Sequence, residues 1–254
     1  MRRLVLVCIL FTGLGVLPGT AIADQGLAGL SGYKATITPD HRLSYSLATS
    51  EFTFTRVTTP QTGETEIRIA GGGPEAALII HLGGPNRLTI ERGGRMVIVS
   101  RDEDSAQALR AMTGGRAVTA FRARLGAYER QLANDPASVN DAVSPFAYSV
   151  LLTAAFIGEL GGDPNSLART RDLIRHRLAA KIRGAAWQQR DCVTDYERAL
   201  IANDERNTQC MQSADNLDSF LARAAERLLC GAEFLAGAIS AETQFVSCSA
   251  LKLY

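Results

Sequence analysis

The chain has 254 residues, of which 46% are hydrophobic and 21% charged, with a formal net charge of +1. That apolar supply suffices for a buried core and excludes a disordered chain. The near-zero charge excludes broad electrostatic attraction to nucleic acid or to an anionic membrane as the basis of function.

Residues 1–23 carry the three parts of a secretory leader: Arg2 and Arg3, an apolar run from Leu4 to Val16, and Ala21-Ile22-Ala23 before a cut at Asp24. The run is too short for a permanent membrane helix, which needs ~20 apolar residues. A twin-arginine signal is disfavoured because no Ser or Thr precedes the arginines. Lipid attachment at Cys8 is disfavoured because Val7, not a small residue, stands before it. The leader takes two of the 27 basic residues and none of the 26 acidic ones, which leaves a mature net charge of about −1. Membrane contact is thus expected only through the cleaved leader.

Residues 24–103 read as an antiparallel β domain. Between Tyr33 and Ser100 the pattern has period two in "KATIT", "LSYSL", "EFTFTRV", "TEIRI", "AALIIHL", "RLTIE" and "RMVIVS". Phe52 with Phe54, and Ile67 with Ile69, each fall on one face of a half-buried strand. Glycines at 71–73, 83–84 and 93–94 punctuate the later segments, and such short spacing leaves no room for crossover helices. A meander of about five to seven strands follows.

Residues 104–254 read as an α-helical domain, which makes the whole an α+β fold. The acids of "RDEDS" act as a linker favouring the N-terminus of the next helix. Val118, Phe121, Leu125, Tyr128 and Leu132 form one helical stripe ending near Asn134-Asp135-Pro136. In "SPFAYSVLLTAAFIGELGG", Ser144 suits a cap, Pro145 the first turn and Gly161-Gly162 the exit, with a second helix restarting at Asp163-Pro164 as a hairpin. Residues 142–158 lack charge, and a membrane-associated role for 142–160 competes with the centre of a bundle. A long amphipathic stretch then carries Leu167, Ile174, Leu178, Ile182, Ala185, Val193, Tyr196 and Leu200, with Gly184 as the point where it would bend. The last helix is expected to show Leu217, Phe220, Leu221, Ala224, Leu228, Ala232, Leu235 and Ile239 as its buried stripe. Residues 166–190 hold seven basic and one acidic side chain, and 191–226 hold eight acidic and three basic ones. The arginines scatter around their helix, so solvated faces with some pairing to the acidic segment are expected. Trp187 is expected in the core.

Four cysteines remain after the leader: Cys192, Cys210, Cys230 and Cys248. The intervening gaps of 17, 19 and 17 residues are not those of a zinc site, whose ligands come in close pairs, and His41, His81 and His176 lie elsewhere. Nothing singles out one thiol as a nucleophile, so two disulfides are expected in an oxidising compartment. The preferred pairing is Cys192–Cys210 with Cys230–Cys248, from a faint repeat C-x2-[DE]-[YF]-x4-I-x2-[DE]-x5-C. Each unit would be a helix end plus a returning segment, the tail after Ile239 folding back over Cys230.

No catalytic, cofactor-binding or metal-ligating residue is assigned. "ALIIHLGGP" resembles an oxyanion-hole segment only superficially, since Leu82 separates His81 from Gly83 and no G-x-S-x-G follows. Phosphate-loop, dinucleotide, C-x-x-C and H-E-x-x-H signatures are absent from the sequence. The expectation is a non-enzymatic exported protein, periplasmic first and extracellular or surface-associated second. It would bind another envelope protein or surface component by adding a strand to its sheet. The alternative is an envelope hydrolase of glycosides or peptidoglycan, using acids drawn from Glu64, Glu66, Glu91, Asp102, Glu103 and Asp104.

Overall fold

The structure, a computed structural model, describes residues 21–22, 33–37, 42–83, 87–101, 105–134, 144–182 and 191–251. Each of the seven alternating segments becomes a strand: β2 (Tyr33–Ile37), β3 (Leu43–Ala48), β4 (Thr53–Thr58), β5 (Thr65–Ala70), β6 (Leu78–Leu82), β7 (Leu88–Arg92) and β8 (Arg95–Ile98). A two-residue β1 (Ala21–Ile22), inside the expected leader, pairs with β2. Every strand pairs antiparallel with the next, so the sheet runs in chain order.

Alternation puts one side of each strand against the helices. Register aligns Tyr45, Arg56, Ile67, Ile80 and Ile90 in a single row across five strands. All five are fully buried. Phe52, Phe54, Ile67 and Ile69 lie on this same covered side.

Six helices follow among the described residues: α1 (Ala106–Thr113), α2 (Arg116–Asn134), α3 (Ser144–Leu160), α4 (Ser166–Ile182), α5 (Cys192–Asp215) and α6 (Phe220–Leu251). The whole predicted stripe of α2, from Val118 to Leu132, is buried. It meets the sheet through Phe121, whose ring stacks on Phe54 at 5.0 Å and touches Phe52 edge-on at 5.5 Å. Helix α3 is apolar on all sides because helices surround it: α1, α2, α4 and α6 all pack on it. Among the described residues no helix is long and apolar enough to cross a membrane. One continuous core runs from the sheet through the helices.

Four points of the sequence reading need correction. The long amphipathic stretch is two helices, because Asp191 adopts extended backbone and its side chain accepts from Thr194 N at 2.8 Å, starting α5 afresh. Gly184, Ala185 and Trp187 lie outside the described residues. Residues 106–113 form their own helix, α1, which was not foreseen as separate because only Leu109 and Met112 supply its apolar signal. The tail does not fold back: α6 continues without a break to Leu251. Its first turn is also wrongly assigned to the core, since Phe220 is 74% exposed.

The sheet holds the α1–α2 corner with two side chains. Arg92 donates to the carbonyls of Met112, at 2.7 Å, and Gly114, which end α1. Glu75 pairs with Arg92 and accepts from the amide of Arg116, at 3.2 Å, at the start of α2. Both ends thereby gain the charge that their helix dipoles favour. Gly115 sits between them at φ +97°, and a Cβ there would stand 1.9 Å from Glu75 Oε1.

Candidate functional site

The sheet's last strand ends it with an open edge. Gly93 and Gly94, at φ +58° and +76°, form the two-residue turn that joins β7 to β8. Such a turn makes the flanking pair, Arg92 and Arg95, a hydrogen-bonded pair. Bonding then alternates, so Ile90 with Val97 is the next such pair, and Val99 N donates to Leu88 O at 3.1 Å. Residues 95, 97 and 99 therefore spend their backbone groups on β7. Met96 and Ile98 direct theirs outward, where among the described residues they meet no partner.

The same two residues expose their side chains on the uncovered side of the sheet, Met96 by 60% and Ile98 by 39%. Unpaired N–H and C=O groups flanked by apolar side chains form a template for another strand. The end of the edge is held: Arg101 donates to Glu226 of α6 at 2.6 Å, and Arg87 joins Glu226 and Glu233. Arg101 is the stronger of the influences that keep the Glu226 carboxyl below its usual range.

Behind this edge the helical hairpin α5–α6 is closed by two disulfides. They link Cys192 to Cys248, with Cα atoms 5.7 Å apart, and Cys210 to Cys230, 5.8 Å apart. The four expected cysteines are all paired, but the expected connectivity is wrong. Cys192 and Cys210 both belong to α5, where 18 residues rise about 27 Å. No disulfide spans that distance. Between the staples, buried Asn203 and Asn207 donate to the carbonyls of Phe234, at 2.7 Å, and Cys230, at 2.8 Å.

A second feature that sequence reading missed joins the sheet to this hairpin. Arg56 and Glu242 form an ion pair with both side chains at 0% exposure. Arg56 also lies over the Tyr45 ring, 4.3 Å from its centroid. Desolvation raises the pKa of Glu242, and the nearby guanidinium only partly opposes it. Desolvation also lifts the neighbouring Tyr196 phenol well above its ordinary value. The signal was present in the parity of "FTFTRV", which puts Arg56 on the side of Phe52 and Phe54.

The candidate acids among the described residues fall on a turn, on β5 and on β7. Glu64 accepts from the Thr62 hydroxyl at 3.3 Å in the turn before β5. Glu66 points off the uncovered face of β5, and Glu91 lies 3.4 Å from His81 Nε2 on that same side. Asp102, Glu103 and Asp104 lie outside the described residues, as do His41 and Trp187. The basic and acidic segments do pair: Arg171 meets Asp204 at 2.6 Å and Arg175 joins the same carboxylate. These groups rim a cleft of about 530 Å³ between α4 and α5, floored by Ile174, Leu178, Leu200 and Phe234.

No protein family, no curated protein and no solved structure matches the chain.

Proposed function

We propose that the protein is an exported binding protein of the cell envelope, periplasmic after removal of its leader, that captures an extended segment of another envelope protein as an added strand. The observation that carries this reading is the coincidence, at Met96 and Ile98, of outward backbone groups with exposed apolar side chains. An incoming strand would gain main-chain hydrogen bonds from these two residues and apolar contact beside them. The two disulfides fit an oxidising compartment. They also hold the hairpin that Arg101 and Arg87 grip, so the edge is presented on a stiff support, which lowers the entropy cost of binding.

Met96→Pro tests the reading sharply. Proline removes the outward N–H of residue 96, one of the two that an added strand would use, and spares the bonds to β7, a placement that edge strands tolerate. A photo-crosslinker at position 98 in intact cells should capture a partner in the parent chain and lose it in Met96→Pro. Undiminished capture in the variant rejects strand addition at β8.

A further inference from the structure

The three helices α2, α3 and α4 enclose a second cleft of about 350 Å³. Three arginines line it, Arg122 and Arg130 from α2 and Arg169 from α4, with two carboxylates, Glu129 and Asp163. Both carboxylates are already engaged. Glu129 accepts the Thr170 hydroxyl at 2.6 Å, and Asp163 is held by both terminal nitrogens of Arg169, at 3.3 and 2.7 Å. That pairing holds the Asp163 carboxyl below its usual range.

Arg122, Arg130 and the Ser166 hydroxyl, by contrast, have no hydrogen-bond acceptor among the described residues. Glycine geometry shows that Arg122 and Ser166 converge, and Arg130 lines the same cleft. A Cβ on Gly158 would stand 2.5 Å from Ser166 Oγ and 3.1 Å from Arg122 Nη2, so both groups lie over the bare α-carbon. Arg130 Nη1 reaches back to within 3.8 Å of the corresponding point on Gly126, one turn toward Arg122. Two guanidinium forks from α2 and a hydroxyl from α4 thus line one polar cleft walled on its third side by α3, with the local acids occupied.

We infer that this cleft binds a tetrahedral oxyanion, either free phosphate or the phosphate of a small monoester. Guanidinium planes suit bidentate contact with phosphate oxygens, and the hydroxyl supplies a further donor. The lining groups carry three positive and two negative charges, so a bound anion meets a net attraction. The site is independent of the β8 edge and does not rest on the proposed binding role.

The test is titration of the purified chain with inorganic phosphate and, in parallel, glycerol 3-phosphate, at ionic strength held constant with chloride. Thermal shift and calorimetry are the readouts. Saturable binding of at least one probe is expected, and whichever binds more tightly identifies the source. Arg122→Gln/Arg130→Gln should weaken it by at least about tenfold, whereas Arg124→Gln, exposed on the same helix, should leave it unchanged. Should the double variant fail to fold, Ser166→Ala is the second probe and should weaken binding about threefold or more. A response indistinguishable from that to chloride overturns the inference, as does undiminished affinity in the double variant or in Ser166→Ala.

Discussion

Arg56 and Glu242 are a buried pair, Nη2 to Oε2 at 2.5 Å, that connects the fourth strand to the last helix. Removing one partner leaves a charge uncompensated in the interior, so Arg56→Met or Glu242→Leu alone should cost about 3–5 kcal/mol. Arg56→Met/Glu242→Leu should recover most of that loss, because desolvation no longer opposes folding. Denaturant unfolding of the full cycle measures it. Strictly additive losses in the double variant would show that the two side chains are not coupled.

Glu159, near the C-terminal end of α3, is a carboxyl whose ionisation destabilises the fold as pH rises. Burial pushes its pKa from 4.5 up to about 7, against the pull of Arg171 and Arg227. Its Oε2 is buried with no hydrogen-bond partner among the described residues. The folded state therefore keeps a proton that the unfolded chain, titrating near 4.3, has lost. Between these values the folded state binds more protons, so this residue makes stability fall as pH rises. Glu159→Gln should match the parent near pH 4 and exceed it by roughly 2–3 kcal/mol at pH 8. A constant offset across that range would contradict the assignment.

Peptide mapping without reductant should recover Cys192 linked to Cys248 and Cys210 linked to Cys230. The bridges close loops with separations of 56 and 20 residues. By chain entropy, replacing the outer pair with serine should cost about 4 kcal/mol and the inner pair about 3 kcal/mol. A Cys192–Cys210 peptide would require α5 to be broken.

Gly237 lets α5 and α6 approach closely. A Cβ there would stand 2.2 Å from Asn203 Oδ1, so Gly237→Ala should displace the asparagine and break its bond to Phe234 O. A loss of about 2–3 kcal/mol is expected in thermal unfolding, partly relieved by adding Asn203→Ala. No relief in the double variant would place the clash elsewhere.

The strands were readable because a half-covered sheet imposes alternation, which burial follows residue by residue through β3, β4 and β5. Helix α2 was readable for the matching reason, a single apolar stripe between polar flanks. Disulfide pairing was misread although its key was present: 18 residues are five full turns of an α-helix, so both members of each equally spaced set share one face. Two such helices lying antiparallel match first with last and second with third. The equal spacing therefore reflects a mirrored unit and not a repeated one. The edge at β8 was also legible, since "ERGGRMVIVS" fixes a two-residue turn and with it the parity that sends Met96 and Ile98 outward. The cleft bounded by Arg122, Arg130 and Ser166 was not, because it depends on how three helices separated in sequence cross one another.

The outer bridge also decides how the chain transmits force. Tension applied upstream of Cys192 and downstream of Cys248 crosses directly through sulfur, bypassing everything in between. The hairpin is thus mechanically silent: an unfoldase drawing on the carboxyl terminus would stall at a branched knot of polypeptide until a thiol reductant opened it. Threading of the chain through any pore too narrow for a doubled strand would accordingly require this ring to be open, and its closure commits the hairpin to one side of such a barrier for as long as the bridge stays oxidised.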